Sequence, residues 1–206
     1  MSNIPIYTIG YGNRSMQEFI RLLKQYGISY LIDIRSRPYS RFNPEFSKET
    51  LAMRLKQSGV RYVFMGDTLG GRPDDSTCYI DGQVDYTQVR VKPFYQQGIE
   101  RIRTAWEKQL RVALMCSEAK PYECHRGKLI GNTLLEHEIE VAHIDEKGKI
   151  MEQREINRKL TGGQNEQPLL FDGEQPWILN EKISRSRKKY APKGERCYLQ
   201  LSGWYL

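Results

Sequence analysis

Residues 111–127 read Arg-Val-Ala-Leu-Met-Cys-Ser-Glu-Ala-Lys-Pro-Tyr-Glu-Cys-His-Arg-Gly, and the fold follows from how this stretch divides. Its first part, Arg111 to Cys116, is an apolar run without alternation. Such a run is a strand buried on both faces, as in a parallel sheet covered by helices. The second part, Ser117 to Gly127, is polar and holds a proline, so it reads as a loop. A helix is predicted around Lys128 to His137, and the next strand over Glu140 to Ile144.

The same alternation extends upstream. Ile6-Tyr7-Thr8-Ile9 is a short β-rich run that enters Gly10-Tyr11-Gly12-Asn13. Ser15 is placed to cap a helix with Phe19, Ile20, Leu22 and Leu23 at helical spacing, and Gly27 closes it. Tyr30 to Ile34 is a second strand, Ser47 to Ser58 a helix, Val60 to Met65 a third strand, and Pro93 to Gln109 a helix. Gly66 to Val91 reads as one long loop. Strands alternating with helices of this length predict βαβ units. The expected architecture is α/β, with a parallel or mostly parallel sheet between two helical layers.

The pattern weakens after about Met151, so the chain divides into a core domain over 1–150 and a C-terminal extension over 151–206. The net charge of +7 resides mainly in that extension. Lys182, Arg185, Arg187, Lys188, Lys189, Lys193 and Arg196 face only Glu195 between positions 182 and 196. This segment, with Tyr190, Tyr198 and Trp204 near it, suits either polyanion binding or a solvated tail. The partly alternating end, Cys197 to Leu206, reads as a terminal strand or packed tail.

The 206 residues are 39% hydrophobic, enough for a real core, and no run approaches the ~18 apolar residues of a membrane span. No signal peptide is evident, so a soluble cytoplasmic protein is expected. Four scattered cysteines, Cys78, Cys116, Cys124 and Cys197, do not make a disulfide framework.

Ligands of an open parallel sheet bind beyond the carboxyl ends of its strands. Four polar clusters fall there. Gly10-Tyr11-Gly12-Asn13-Arg14 follows the first strand, and Asp33, Arg35, Ser36, Arg37, Ser40 and Arg41 follow the second. Gly66-Asp67 and Leu69-Gly70-Gly71-Arg72 follow the third, and Cys116, Glu118 and Cys124-His125-Arg126 the fourth. The glycines lack the third member of a dinucleotide fingerprint, and arginines follow the second strand, so a nicotinamide cofactor is disfavoured. The arginine loop suits a phosphate or carboxylate, with Asp33 and Asp67 as internal partners in the alternative.

Three readings of the Cys-His-Arg triplet stay open. Cys124 is a nucleophile whose thiolate is stabilised by His125, Arg126 and a helix N-terminus. Or Cys116, Glu118, Cys124 and His125 hold a metal in some combination, although the spacing is not that of common zinc sites. Or Cys124 is a buried hydrophobe, with His125 and Arg126 bracing the loop or contacting ligand. A Cys-x5-Arg phosphatase cradle is not present, because Arg126 stands two after Cys124 and Tyr122 six after Cys116. His137 reads as exposed and His143 as a core residue.

The motifs Tyr-Thr-Ile-Gly-Tyr-Gly (7–12), Asp-Ile-Arg-Ser-Arg-Pro-Tyr-Ser-Arg (33–41), Leu69-Gly70-Gly71, and Cys116-x-Glu118 followed by Cys124-His125-Arg126 are similar, in this order, to the signature of the "domain of unknown function 488" family. The resemblance spans roughly residues 5–145. It implies an α/β domain with one site and leaves the chemistry to the residues. They predict an enzyme for a phosphorylated small molecule or nucleic acid. Tyr11, Gly12, Arg35, Ser36, Arg37, Arg41 and Arg126 would hold the ligand, and Cys124, His125, Glu118 and Asp33 would act as nucleophile, acid/base and orienting groups. A non-catalytic nucleic-acid module using the basic segment, and a metal-dependent hydrolase, are the alternatives. The sequence names neither a cofactor nor an oligomeric state.

Overall fold

The computed structural model describes residues 4–161. The elements, in order, are β1 (Ile6–Gly10), α1 (Met16–Gln25), β2 (Tyr30–Asp33), α2 (Lys48–Gln57), β3 (Arg61–Phe64), α3 (Gly66–Leu69), β4 (Tyr79–Ile80), β5 (Gln83–Val84), α4 (Tyr86–Arg90), α5 (Pro93–Glu107) and β6 (Val112–Cys116). A π-helix, Arg126–Gly131, then runs into α6 (Asn132–Glu136), followed by β7 (Val141–Ile144), β8 (Ile150–Glu152) and α7 (Gln153–Thr161). Six strands form one sheet in the order β3-β2-β6-β1-β7-β8, all neighbours parallel except β7 and β8. This is the mostly parallel α/β architecture expected. Strand β6, at the third position, is buried at every residue, as its unbroken apolar run requires.

Each face of the sheet has its own core. Phe19, Leu22 and Leu23 of α1 and Leu51 and Leu55 of α2 pack with Ile9, Leu31, Ala113 and Met115. Tyr95, Ile99 and Ile102 of α5, with Leu129, Ile130 and Leu134, pack with Ile6, Ile32, Leu114 and Cys116. Alternate residues of a strand point to opposite faces, so Ala113 and Leu114 serve different layers.

The topology places the site. The chain leaves β1 over one face towards β2, and leaves β6 over the other face towards β7. Adjacent strands whose connections diverge open a crevice beyond their carboxyl ends, where ligands of such sheets bind.

Three segments differ from the sequence reading. Residues 66–91, expected as a loop, contain α3, the β4–β5 hairpin and α4. These elements are two to five residues long, too short for periodicity to show. The local signals are capping aspartates: Asp85 accepts from Thr87 N at the start of α4, and Asp75 from Thr77 N at a 3₁₀ turn over Ser76–Cys78 that leads into β4. The helix expected from Lys128 begins at Arg126 and opens as a π-helix. Such wide turns are rare and are frequent at functional sites.

The sheet also continues past position 150. β8 adds antiparallel to β7, and α7 returns to the π-helix. His143 of β7 couples them: its Nε2–H donates to Gln153 Oε1 at 2.7 Å, and its Nδ1 accepts from the Thr8 hydroxyl at 2.7 Å. Gln153 in turn donates to Gly127 O at 3.0 Å. His143 is fully buried, and burial, with the nearby Arg126 charge, lowers its pKa to about 3. The expected core position of His143 and exposed position of His137 are both found. The basic segment 182–196, Cys197 and the expected terminal strand lie outside the described residues.

Candidate functional site

The loops after β1 and β6 are zipped together beyond the strand ends. Tyr11 N donates to Cys116 O at 3.2 Å and Gly12 N to Ser117 O at 2.9 Å. Gly10 is required here by close approach: a Cβ on it would lie 1.7 Å from Glu118 O and 2.4 Å from Arg126 Nη1. Gly12 is required by conformation, with φ +51°. Beside these loops lies an open cleft of about 840 Å³. Tyr11, Gly12, Asn13, Arg14, Glu18, Ser40, Phe42, Asn43, Ser117, Glu118, Ala119 and Glu146 line it.

The arginines expected to hold an anion separate by burial. Arg35 is buried and forms a two-pronged ion pair with Asp33, Nε to Oδ1 at 2.8 Å and Nη2 to Oδ2 at 2.6 Å. Asp33 Oδ2 also accepts from the Tyr62 hydroxyl at 2.8 Å. Burial works to lower the Arg35 pKa, but the Asp33 bonds prevail and raise it. Burial and the Asp33 charge push the Tyr62 phenol up. Asp33 is thus the internal partner of Arg35, while Asp67 is exposed and accepts from Thr68 N. The Arg35 guanidinium also lies 5.5 Å over the Tyr11 ring, which stacks on Phe46 at 4.4 Å. Neither Asp33 nor Arg35 is among the residues lining the cleft.

Arg126 is fully buried too, and its guanidinium bonds to a carbonyl and a thiol. Nη2 donates to Ala119 O at 2.7 Å and Nη1 to Cys116 Sγ at 3.5 Å. It braces the loop that forms one cleft wall. Arg14, on the opposite wall, donates to Gly10 O and Asp145 O, and its Nε lies 3.8 Å from Glu18 Oε1. Burial lowers the Arg14 pKa. Ser36 does not reach the cleft either; its hydroxyl accepts from Arg72 N at 2.9 Å and ties two loops together. Arg37 and Arg41 are exposed.

The residues brought together most tightly are the thiols and the imidazole. His125 Nε2 lies 3.1 Å from Ile34 O, a carbonyl that can only accept, so Nε2 carries the proton. Nδ1 is then a free lone pair, 3.5 Å from Cys124 Sγ. Arg126 N donates to the same sulfur at 3.5 Å. A thiol, a base and a carbonyl that fixes the base follow the geometry of nucleophilic catalysis. Gly71 makes room for the ring, since a Cβ there would lie 2.7 Å from His125 Cγ and Nδ1. Cys116, Glu118 and Cys124 also offer ligand atoms within 4.8 Å of one another. Glu118, at once beside the thiols and in the cleft wall, connects the two. Burial and the Cys124 thiol push the Cys116 thiol well up, so Cys116 stays protonated.

Residues 15–132, more than half of the chain, match the family model described as domain of unknown function DUF488. The chain belongs to the DUF488 family. No curated protein and no solved structure matches it. Among the described residues, no helix is long and apolar enough to cross a membrane.

The family match begins at Ser15, after the glycine turn, and ends at Asn132, after the Cys-His-Arg triplet. Sequence reasoning missed Glu18, Phe42, Asn43 and Glu146 of the cleft. Glu18 is an ordinary first-turn acid of α1, and Glu146 sits in a turn after β7; neither carries a local motif.

Proposed function

We propose that this DUF488 protein is a cytoplasmic enzyme acting on a phosphate-bearing ligand, a nucleotide or nucleic acid, with Cys124 as its reacting group. The observation that carries the reading is the Cys124–His125–Ile34 arrangement: the base is held in the tautomer that faces the thiol. Cys124 gives its proton to His125 Nδ1, and the thiolate is stabilised by Arg126 N–H and the start of the following helix. Attack on an electrophilic centre forms a bond to Sγ and breaks the bond to the leaving group. The leaving group takes the proton from Nδ1, and Glu118 activates the water that then releases the product. Cys124 is only 2% exposed and, like His125, does not line the cleft, so reaction there requires Glu118, which lines the cleft beside the thiols, to give way to substrate. Three described cysteines are free thiols, as suits a reducing compartment.

Phosphates belong at the rim, with Arg37 and Arg41, because the cleft interior carries Glu18, Glu118 and Glu146 against Arg14. This differs from a cradle made of all the arginines. Arg35 and Arg126 are positioning residues, and so is Asp33.

A metal-dependent hydrolase has one observation in its favour, the Cys116–Glu118–Cys124 cluster. Against it, the Arg126 guanidinium already places a positive charge 3.5 Å from Cys116 Sγ. The experiment is intact-protein mass spectrometry after acid quench of the full chain with nucleoside mono-, di- and triphosphates and short oligonucleotides. The expected result is an adduct mapping to Cys124 and absent in Cys124→Ser. Turnover of any of these compounds that survives Cys124→Ser would overturn the reading. Turnover that is lost with chelation and restored by zinc would replace it with the hydrolase.

A further inference from the structure

Beside the cleft, the loop over residues 37–42 shows an alternation that the site has not used. Arg37, Tyr39 and Arg41 are exposed, Tyr39 at 74%, and Phe42 is 96% exposed. The residues between them are fastened from beneath. Pro38 O accepts from Lys48 N at 2.9 Å. Ser40 is buried; its N donates to Ser47 Oγ at 3.2 Å, and its Oγ accepts from Tyr11 OH at 3.3 Å and Asn43 N at 3.2 Å. The loop is therefore a fixed ledge and not a loose end. It presents two guanidinium groups and two aromatic rings to solvent. A monomeric protein gains nothing in folding from a phenylalanine left in water.

We infer that this ledge binds single-stranded nucleic acid, stacking bases on Tyr39 and Phe42 and pairing phosphates with Arg37 and Arg41, and so delivers one nucleotide into the cleft. The inference rests on the phosphate-ligand reading above and names its substrate class. Two features favour a strand over a free nucleotide. First, Ser40 and Phe42 belong both to the ledge and to the cleft wall, whereas Tyr39 lies outside the wall, so the ledge offers a second exposed ring that a ligand confined to the cleft would not use. Second, charge is partitioned. The cleft holds three carboxylates and two asparagines, which suit the hydrogen-bonding edges of a base and repel phosphate. The one arginine of the lining, Arg14, is held by Gly10 O and Asp145 O, and Arg37 and Arg41 stand outside. A duplex hides its base faces, so the stacking surface selects single strands. A base drawn out of the stack into a pocket is how enzymes reach a base chemically.

The test is fluorescence polarisation of the full chain with a 5′-labelled 12-nucleotide oligothymidylate, its duplex with oligoadenylate, and labelled AMP. The aromatic double variant Tyr39→Ala/Phe42→Ala should weaken oligothymidylate binding by roughly tenfold or more, the loss expected for base stacking. It should leave the salt dependence unchanged. Arg37→Ala/Arg41→Ala should instead reduce the salt slope, by about 1.4 for two phosphate contacts on a single strand. Both changes lie on the exposed surface and leave the fold intact. Unchanged oligothymidylate affinity in the aromatic variant, or duplex bound as tightly as single strand, overturns the ledge. Wild-type protein that binds AMP but not the oligomer overturns the ledge and leaves the phosphate-ligand reading standing; binding neither overturns both. A change from dimer to monomer in the aromatic variant, without loss of oligomer affinity, assigns the rings to a second copy of the chain and likewise overturns the ledge.

Discussion

The segment after β2 and the π-helix after β6 each bury one arginine, and the two are treated in opposite ways. Arg35 lies two residues from Asp33 and is locked to it by two bonds, so its charge is cancelled where it stands. Arg126 lies at 0% exposure with a carbonyl and a thiol as its hydrogen-bond partners. Its charge reaches its surroundings, and the lowered pKa of His143 owes part of its shift to it, after burial. The lesson is that an arginine cluster in a sequence is not one object. The fold assigns one member to a buried pair, one to a thiol-lined brace, and two, Arg37 and Arg41, to solvent.

The largest effect should come from breaking the pair. Arg35→Met leaves Asp33 buried and uncompensated, at a cost of about 3–5 kcal/mol. Arg126→Met removes the hydrogen bonds to Ala119 O and Cys116 Sγ and should cost about 1–3 kcal/mol, the value of those bonds. Urea unfolding of both variants checks the order, and equal losses would erase the contrast. The double variant Asp33→Asn/Arg35→Met should recover part of the first loss.

Next in size is acid stability. His143 is held neutral when folded, with its pKa near 3 against about 6.5 when free. The unfolded chain therefore takes up a proton first. The stabilisation is complete above about pH 6.5 and is lost on going down towards pH 3, at about 1.4 kcal/mol per pH unit for one proton. His143→Gln should flatten this slope in unfolding free energy measured from pH 7 to 4. Arg126→Met should move the imidazole titration upwards by NMR, whereas Arg35→Met should leave it in place.

Gly71→Ala should act locally. The added methyl meets the imidazole, displacing His125 from Cys124 with a stability change of about 1 kcal/mol, a typical single-substitution cost. The smallest stability effects, within about 0.5 kcal/mol, belong to Arg37→Ala and Arg41→Ala, whose side chains are exposed.

Much of this was legible in the sequence. The apolar run of β6, the β1 and β2 runs and the stripe of α1 each carry a period or a length that only one environment satisfies. The convergence of the loops after β1 and β6 followed from strand ends alone. What was not legible is partnership over distance. Nothing local to His125 shows that Ile34 O, 91 positions away, would fix its tautomer, or that Gly71 would clear its space. β8 and α7 escaped because a three-residue antiparallel strand has no period, and because of the residues α7 buries, Gln153, Ile156 and Thr161, only Ile156 is apolar.

The proposed reaction requires that His125 serves Cys124. The direct measurement is the rate of iodoacetamide alkylation of Cys124 at pH 7, followed by peptide mass spectrometry in wild type and His125→Ala, with buried Cys78 as internal reference. Cys124 should react well ahead of Cys78 and slow about a hundredfold in the variant, the low end for losing a general base. Alkylation of Cys124 that is no faster than that of Cys78, or that is unchanged by His125→Ala, would contradict it.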